Sequence, residues 1–230
     1  MDSPTHSDFW SEGIGARLLA AECAWLTQAH AATMGATVWI APAPRAGDAS
    51  AIAFSLDARG RLAGAAIAER DLLPLSDGSV RRLVLQHALE HPRIPSSFLG
   101  ECVRVLAHGG ELIVAGANPA SPWSQWLRLA ARRGHDRLRP RLPNRIRALL
   151  RAHGLSDFTQ EARGPRWPGA APDDAALWDS PQHFGASYVL RGRKVTAMVI
   201  PLRPLAAPVG VPATGAVLVP RARPSVRACA

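Results

Sequence analysis

The sequence predicts an α/β protein: a Rossmann-like, doubly wound sheet, mostly parallel with an antiparallel C-terminal hairpin strand, and helices on both faces. Three observations predict it. Leu83-Val84-Leu85, ending at Gln86-His87, and Glu111-Leu112-Ile113-Val114-Ala115-Gly116 are apolar runs of the kind found in strands covered on both sides. Between them, residues 96–106 keep Phe98, Leu99, Cys102, Val103 and Leu106 on one helical face. His108-Gly109-Gly110 then stops the helix, so strand, helix and strand read as one right-handed βαβ crossover.

The other elements follow in order. Residues 1–8 look loose and are expected to be a disordered N-terminus. From Phe9 to about His30, Trp10, Ile14, Leu18, Leu19, Cys23 and Leu26 keep a helical period, with Ser11 or a neighbour available as a cap. Thr37-Val38-Trp39-Ile40-Ala41 is a β-branched apolar run stopped by Pro42 and Pro44, hence a strand. Residues 51–56 and 62–68 are two further strand candidates. Leu72-Leu73-Pro74-Leu75 leads into a turn at Ser76-Asp77-Gly78-Ser79. A basic helical region runs from Asn118 to about Gly154, Ser156 to Arg163 reads as a strand, and 185–190 with 195–200 read as a hairpin turning at Arg191-Gly192-Arg193. A domain is therefore expected over 9–204. The Pro/Ala/Arg-rich tail, 205–230, lacks a period and is expected to be disordered.

Composition narrows the partners. A net charge of +9 would raise nucleic acid as a possibility. Nearly all of that charge is arginine, with Lys194 the only lysine, so position is more informative than total. Nine arginines lie between Arg128 and Arg151 against one acid, Asp136. They are either a patch for RNA, DNA or an anionic surface or the solvated side of helices that bury Leu127, Leu129, Leu138, Leu142, Ile146, Leu149 and Leu150. The second reading is preferred, because no aromatic stacking platform accompanies the charge. Asp2, Asp8 and Glu12 occupy the place an export signal would need for a basic and then apolar segment. The stretch 195–219 is cut by Pro201, Arg203, Pro204, Pro208 and Pro212 and cannot span a bilayer as a helix. Cys23, Cys102 and Cys229 have no C-x-x-C spacing and read as free thiols. A cytoplasmic protein is expected.

Three strings carry a family likeness: Leu73-Pro74-Leu75-Ser76-Asp77-Gly78-Ser79-Val80, Leu83 through His91, and Arg104-Val105-Leu106-Ala107-His108-Gly109-Gly110-Glu111-Leu112. They resemble the type 11 group of class I S-adenosylmethionine-dependent methyltransferases, and within it a small proteobacterial subfamily. Asn118-Pro119, Ser121-Pro122-Trp123 and Phe184 through Val189 extend the likeness. It implies S-adenosylmethionine as cofactor, a small-molecule substrate, and a pocket lined by Ala41, Ala43, Asp57, Glu69, Leu73, Gln86 and His87. Asp57 would take the ribose hydroxyls. Glu69, with Asp71 nearby, would face the adenine amino group. The glycine-rich turn such a pocket needs is replaced by Ala41-Pro42-Ala43-Pro44, and Arg81-Arg82 stands where an aspartate is common. Those departures support a non-catalytic binding or regulatory module as the alternative, and the arginine face supports a nucleic-acid-associated methyltransferase or binder as a third.

His87, at the carboxyl edge of its strand, is a weak candidate base; a histidine bonded within its own turn is the plainer reading. Glu90, Asn118 and Trp123 are substrate-side candidates. His87 and His91 at i, i+4 lack a third ligand, and Pro92 interrupts a helix there, so no metal site is expected.

Overall fold

The computed structural model describes residues 6–29, 35–44, 51–57, 59–64, 66–68, 72–131, 139–168, 174–179 and 181–195. Glu69, Asp71, residues 196–200, the tail from 205 and the side chains of 127–138 lie outside them.

The strands are β1 (Thr37–Ala41), β2 (Ala51–Leu56), β3 (Leu62–Gly64), β4 (Val80–Gln86), β5 (Leu106–Ala117), β6 (Leu155–Arg163) and β7 (Ser187–Lys194). The helices are α1 (His6–Ser11), α2 (Gly13–Ala29), α3 (Phe98–Val105), α4 (Pro122–Ala131), α5 (Pro143–Ala152) and α6 (Ala176–Asp179), with a one-turn 3-10 helix at Ala88–Glu90. The seven strands form one sheet in the order β3-β2-β1-β4-β5-β7-β6. β2, β1, β4 and β5 are mutually parallel, whereas β3, β7 and β6 pair antiparallel with their neighbours.

Period-2 alternation divides the core between the two faces. Val38, Ile40, Leu83, Leu85, Leu112, Val114, Tyr188 and Leu190 pack with Phe98, Cys102, Ile146 and Leu150, the inward residues of α3 and α5. Trp39, Ala41, Val84, Ile113, Ala115 and Val189 face the other way, onto Leu26 of α2. The continuous apolar runs of β4 and β5 thus have the cause inferred for them, since neither face meets water.

Several boundaries differ from the sequence reading. The first helix starts at His6, inside the stretch expected to be disordered, and breaks in two at Gly13, whose φ of 63° no β-branched or bulky residue would adopt at low cost. β5 starts at Leu106 and runs through His108-Gly109-Gly110, which are strand rather than a turn. A register shift against β4 and a left-handed Gly109 absorb the mismatch. The basic region contains two helices, α4 and α5, with Pro143 opening the second. Leu142 precedes that proline and is 60% exposed instead of buried.

The hairpin expected at Arg191-Gly192-Arg193 is also corrected, because β7 passes straight through those residues between β5 and β6. Arg191 is held there by Glu161, 3.1 Å away, and Glu111 pairs with Arg193 in register. Gly192 is small because of its neighbour: a Cβ on it would lie 2.6 Å from the Phe158 ring. Gly192→Ala must push that ring aside. The expected loss is about 1–3 kcal/mol of unfolding free energy, read as a lower urea midpoint with an unchanged slope.

Candidate functional site

In an open α/β sheet, ligands sit at the carboxyl edge where strand order reverses. Here that point lies between β1 and β4. The chain leaves β4 at Gln86 and turns at once through His87, whose φ of 50° is left-handed. That turn carries the imidazole back beneath the edge, and Ala88–Glu90 brings Glu90 round to meet it.

His87, Glu22 and Glu90 are each at most 1% exposed. The imidazole Nε2 lies 3.1 Å from Glu22 Oε2, and Nδ1 lies 3.1 Å from Glu90 Oε2. Gln86 Nε2 donates to Glu22 Oε2 at 2.8 Å and to the Leu19 carbonyl at 2.9 Å, while Trp39 Nε1 donates to Gln86 Oε1. The Ala117 N–H donates to Glu90 Oε1. One cluster therefore ties α2, β1, β4 and the end of β5 together. The Trp10 ring, delivered by α1, closes over His87 with centroids 4.1 Å apart.

Burial alone would push the imidazole's pKa down, but the two carboxylates outweigh it and raise His87 to about 10. Burial would likewise raise Glu22, yet the His87 charge and the donors His87, Ser187 and Gln86 leave it below the ordinary carboxylate value. The cluster thus sets two acidic side chains against one imidazole. Around it, Trp10 Nε1 and Trp123 Nε1 are buried without a directed hydrogen bond.

The sequence candidates separate into groups. Gln86, His87 and Glu90 meet in the cluster, and Ala43 and Trp123 pack with Trp10 beside it. Ala41 is buried at the end of β1. Asn118 borders the cluster but is occupied as a turn brace: its Nδ2 donates to the carbonyls of His183 and Gly185, and its Oδ1 accepts from the Ala120 N–H. Asp57 stands at the end of β2, where its carboxylate accepts from the Arg59 and Arg61 N–H groups and pairs with the Arg61 guanidinium at 2.9 Å. Leu73 belongs to the core on the α3 side, with its N–H bonded to Glu101. His91 ends the 3-10 turn and accepts from the Arg93 N–H.

Glu22 and Trp10 are the residues that sequence reasoning did not assign to a site. A signal for Glu22 existed: Leu18, Glu22 and Leu26 form an i, i+4 row on the buried side of α2, and an acid in such a row demands a partner.

Nine residues, 42–50, join β1 to β2. A parallel crossover that includes a helix takes a dozen or more. The first three of the nine are non-helical, and Pro42 and Ala43 are buried.

The strand order, with its reversal between β1 and β4 and its antiparallel β7, decides the architecture. The chain has the class I S-adenosylmethionine-dependent methyltransferase fold. Residues 47–114 match the family described as a methyltransferase domain. Among solved structures, a methyltransferase of this class from Thermotoga maritima is 16% identical, with a TM-score of 0.52 over 82% of this chain and 91% of that one. One from Archaeoglobus fulgidus is 12% identical, with a TM-score of 0.53 over 76% and 94%. The phosphoethanolamine N-methyltransferase 2 of Haemonchus contortus, solved with S-adenosylhomocysteine, is 11% identical, with a TM-score of 0.50 over 84% and 60%. Among curated proteins none matches. Among the described residues, no helix of this fold is long and apolar enough to cross a membrane.

The cluster is testable on its own. His87→Gln leaves two buried carboxylates without their counter-charge, for an expected loss of about 3–5 kcal/mol in urea unfolding. The pH dependence has a fixed sign. An imidazole raised from 6.5 to about 10 on folding stabilises fully below pH 6.5, and that contribution falls away as pH rises toward 10. Wild-type stability should decline between pH 7 and 9, and the His87→Gln variant should lose that slope.

Proposed function

We infer that the chain is a cytoplasmic protein whose domain, within residues 9–204, binds S-adenosylmethionine at the carboxyl edge of β1 and β4 and methylates a small molecule. One observation carries this: a buried cluster of two carboxyl groups around one imidazole, capped by the Trp10 ring, sits at the switch point of a methyltransferase fold. The cofactor's sulfonium and ammonium groups complement those carboxyl groups. Glu22 and Glu90 would face its positive groups, Trp10 offers an aromatic face, and Asp57 keeps lone pairs for a hydroxyl. When bound, the cofactor supplies an activated methyl group. The chain's own task is then to orient the acceptor and exclude water, so positioning can supply much of the catalysis without a dedicated base. α1 carries Trp10 and is the element that must move to admit a ligand, because the cluster beneath it is sealed.

A second reading has its own support. The nine-residue β1–β2 connection, the burial of Pro42 and Ala43, and the engagement of Asp57 with Arg61 favour a methyltransferase-fold binding module that does not catalyse.

Calorimetric titration of the folded protein with S-adenosylmethionine, and separately with S-adenosylhomocysteine, distinguishes the two. The enzyme reading expects saturable micromolar binding. It should weaken about tenfold or more when Glu22→Gln removes a carboxylate from the cluster, and measurably on Asp57→Ala at a half-buried position. No heat with either ligand would remove the enzyme reading and leave the binding module.

A further inference from the structure

Away from the carboxyl-edge cluster, a cleft of about 270 Å3 opens between α3, α5 and the loop that follows Ala88–Glu90. Leu89, Ile94, Leu99 and Leu149 form its apolar walls, and Arg141 and Arg145 supply its charge. Arg141 is not a loose surface side chain. Its Nε donates to the Leu89 carbonyl at 3.1 Å and its Nη2 to the Ile94 carbonyl at 3.3 Å, which fixes the guanidinium against the cleft wall. Arg145 is exposed and stands one helical turn further along the chain, in α5. Among the described residues, neither arginine has an acidic partner.

Two guanidiniums without a counter-charge among the described residues, set at an apolar cavity, describe one kind of occupant. We propose that this cleft binds a small amphipathic anion, an apolar body with a single carboxylate or phosphate head. The volume is just below the usual range of ligand pockets, about 300–1,000 Å3, which limits the body to the size of a medium acyl chain or one aromatic ring. The walls take the apolar part by the hydrophobic effect, and the fixed fork of Arg141, with Arg145 beside it, meets the head through charge-assisted hydrogen bonds. Large polyanions do not suit the site. The remaining arginines of α5 are turned elsewhere: Arg147 bonds Asn144, and Arg151 lies 5.5 Å from the centre of the Phe158 ring.

The cleft is independent of the cofactor reading, and its test needs no S-adenosylmethionine. The probes are octanoate and octyl phosphate, with octanol and octyltrimethylammonium as neutral and cationic counterparts, each titrated calorimetrically into the intact protein. Saturable binding of an anionic probe, at least about tenfold tighter than octanol, supports the proposal, and the preferred head separates carboxylate from phosphate sources. Arg145→Met, at an exposed position, should weaken that binding about tenfold. Leu149→Trp, which fills the cavity, should abolish it, with thermal melting confirming that both variants fold. Three results overturn the proposal: no saturable binding of either anion, equal affinity for octanol, or affinity unchanged in both folded variants.

Discussion

Taking a carboxylate out of water costs several kcal/mol unless a counter-charge meets it, and two of them, Glu22 and Glu90, are buried together at the carboxyl edge of β1 and β4. His87 lies between them and is the only cation in the cluster, so its charge is a condition of folding as much as a consequence of it. This constraint orients its surroundings. The left-handed turn at His87 exists to bring the ring inward. The 3-10 turn that follows returns Glu90 to the other ring nitrogen, and α2 must dock with Glu22 facing the sheet. Gln86 spreads the network to Trp39 in β1 and to the carbonyl of Leu19. Removing any one member would leave the others buried and unpaired, so the cluster selects one arrangement of helix on sheet.

The two halves of the sheet are built differently, and the short connections explain why. From β4 onward, a full crossover helix, α3, joins parallel neighbours, as the fold class requires. Before β4, nine residues link β1 to β2, and β2 turns straight back into an antiparallel β3 of three residues. Of the connection after β1, residues 42–44 are non-helical, and Pro42 and Ala43 are buried. At that edge the side chains of Glu22, His87 and Glu90 are buried together, and the Trp10 ring covers His87.

What was legible in the sequence follows from locality. β4, α3 and β5 could be read because period, glycine and apolar run agree within forty residues or fewer. The doubly covered core followed from the absence of polar alternation in those runs. The edge cluster was half visible: Gln86, His87 and Glu90 are adjacent in sequence, whereas Glu22 lies 64 residues from Gln86 and gave only an acid in an apolar row. Arg191-Gly192-Arg193 misled for a related reason. Its glycine looks like a turn signal, but it answers to Phe158 on the neighbouring strand, a contact that no local pattern encodes. Asp57 follows β2 directly, whereas its partner Arg61 depends on the tightness of the β2–β3 turn.

The turn Ala88–Glu90 lies between the edge cluster and the cleft. Glu90 clamps His87 on one side, while the carbonyl of Leu89 holds Arg141 and its side chain walls the cleft on the other. The Glu90 carbonyl also accepts from the Arg139 N–H, so the chain entering α5 is anchored directly to the residue that balances the imidazolium. Three residues of 3-10 helix have little freedom to shift at one end without shifting at the other. A conformational change at either site would therefore be felt through the backbone between them. The arginines nearest this turn are placed by it, which is a more specific account of part of the basic segment than a uniformly solvated helix face.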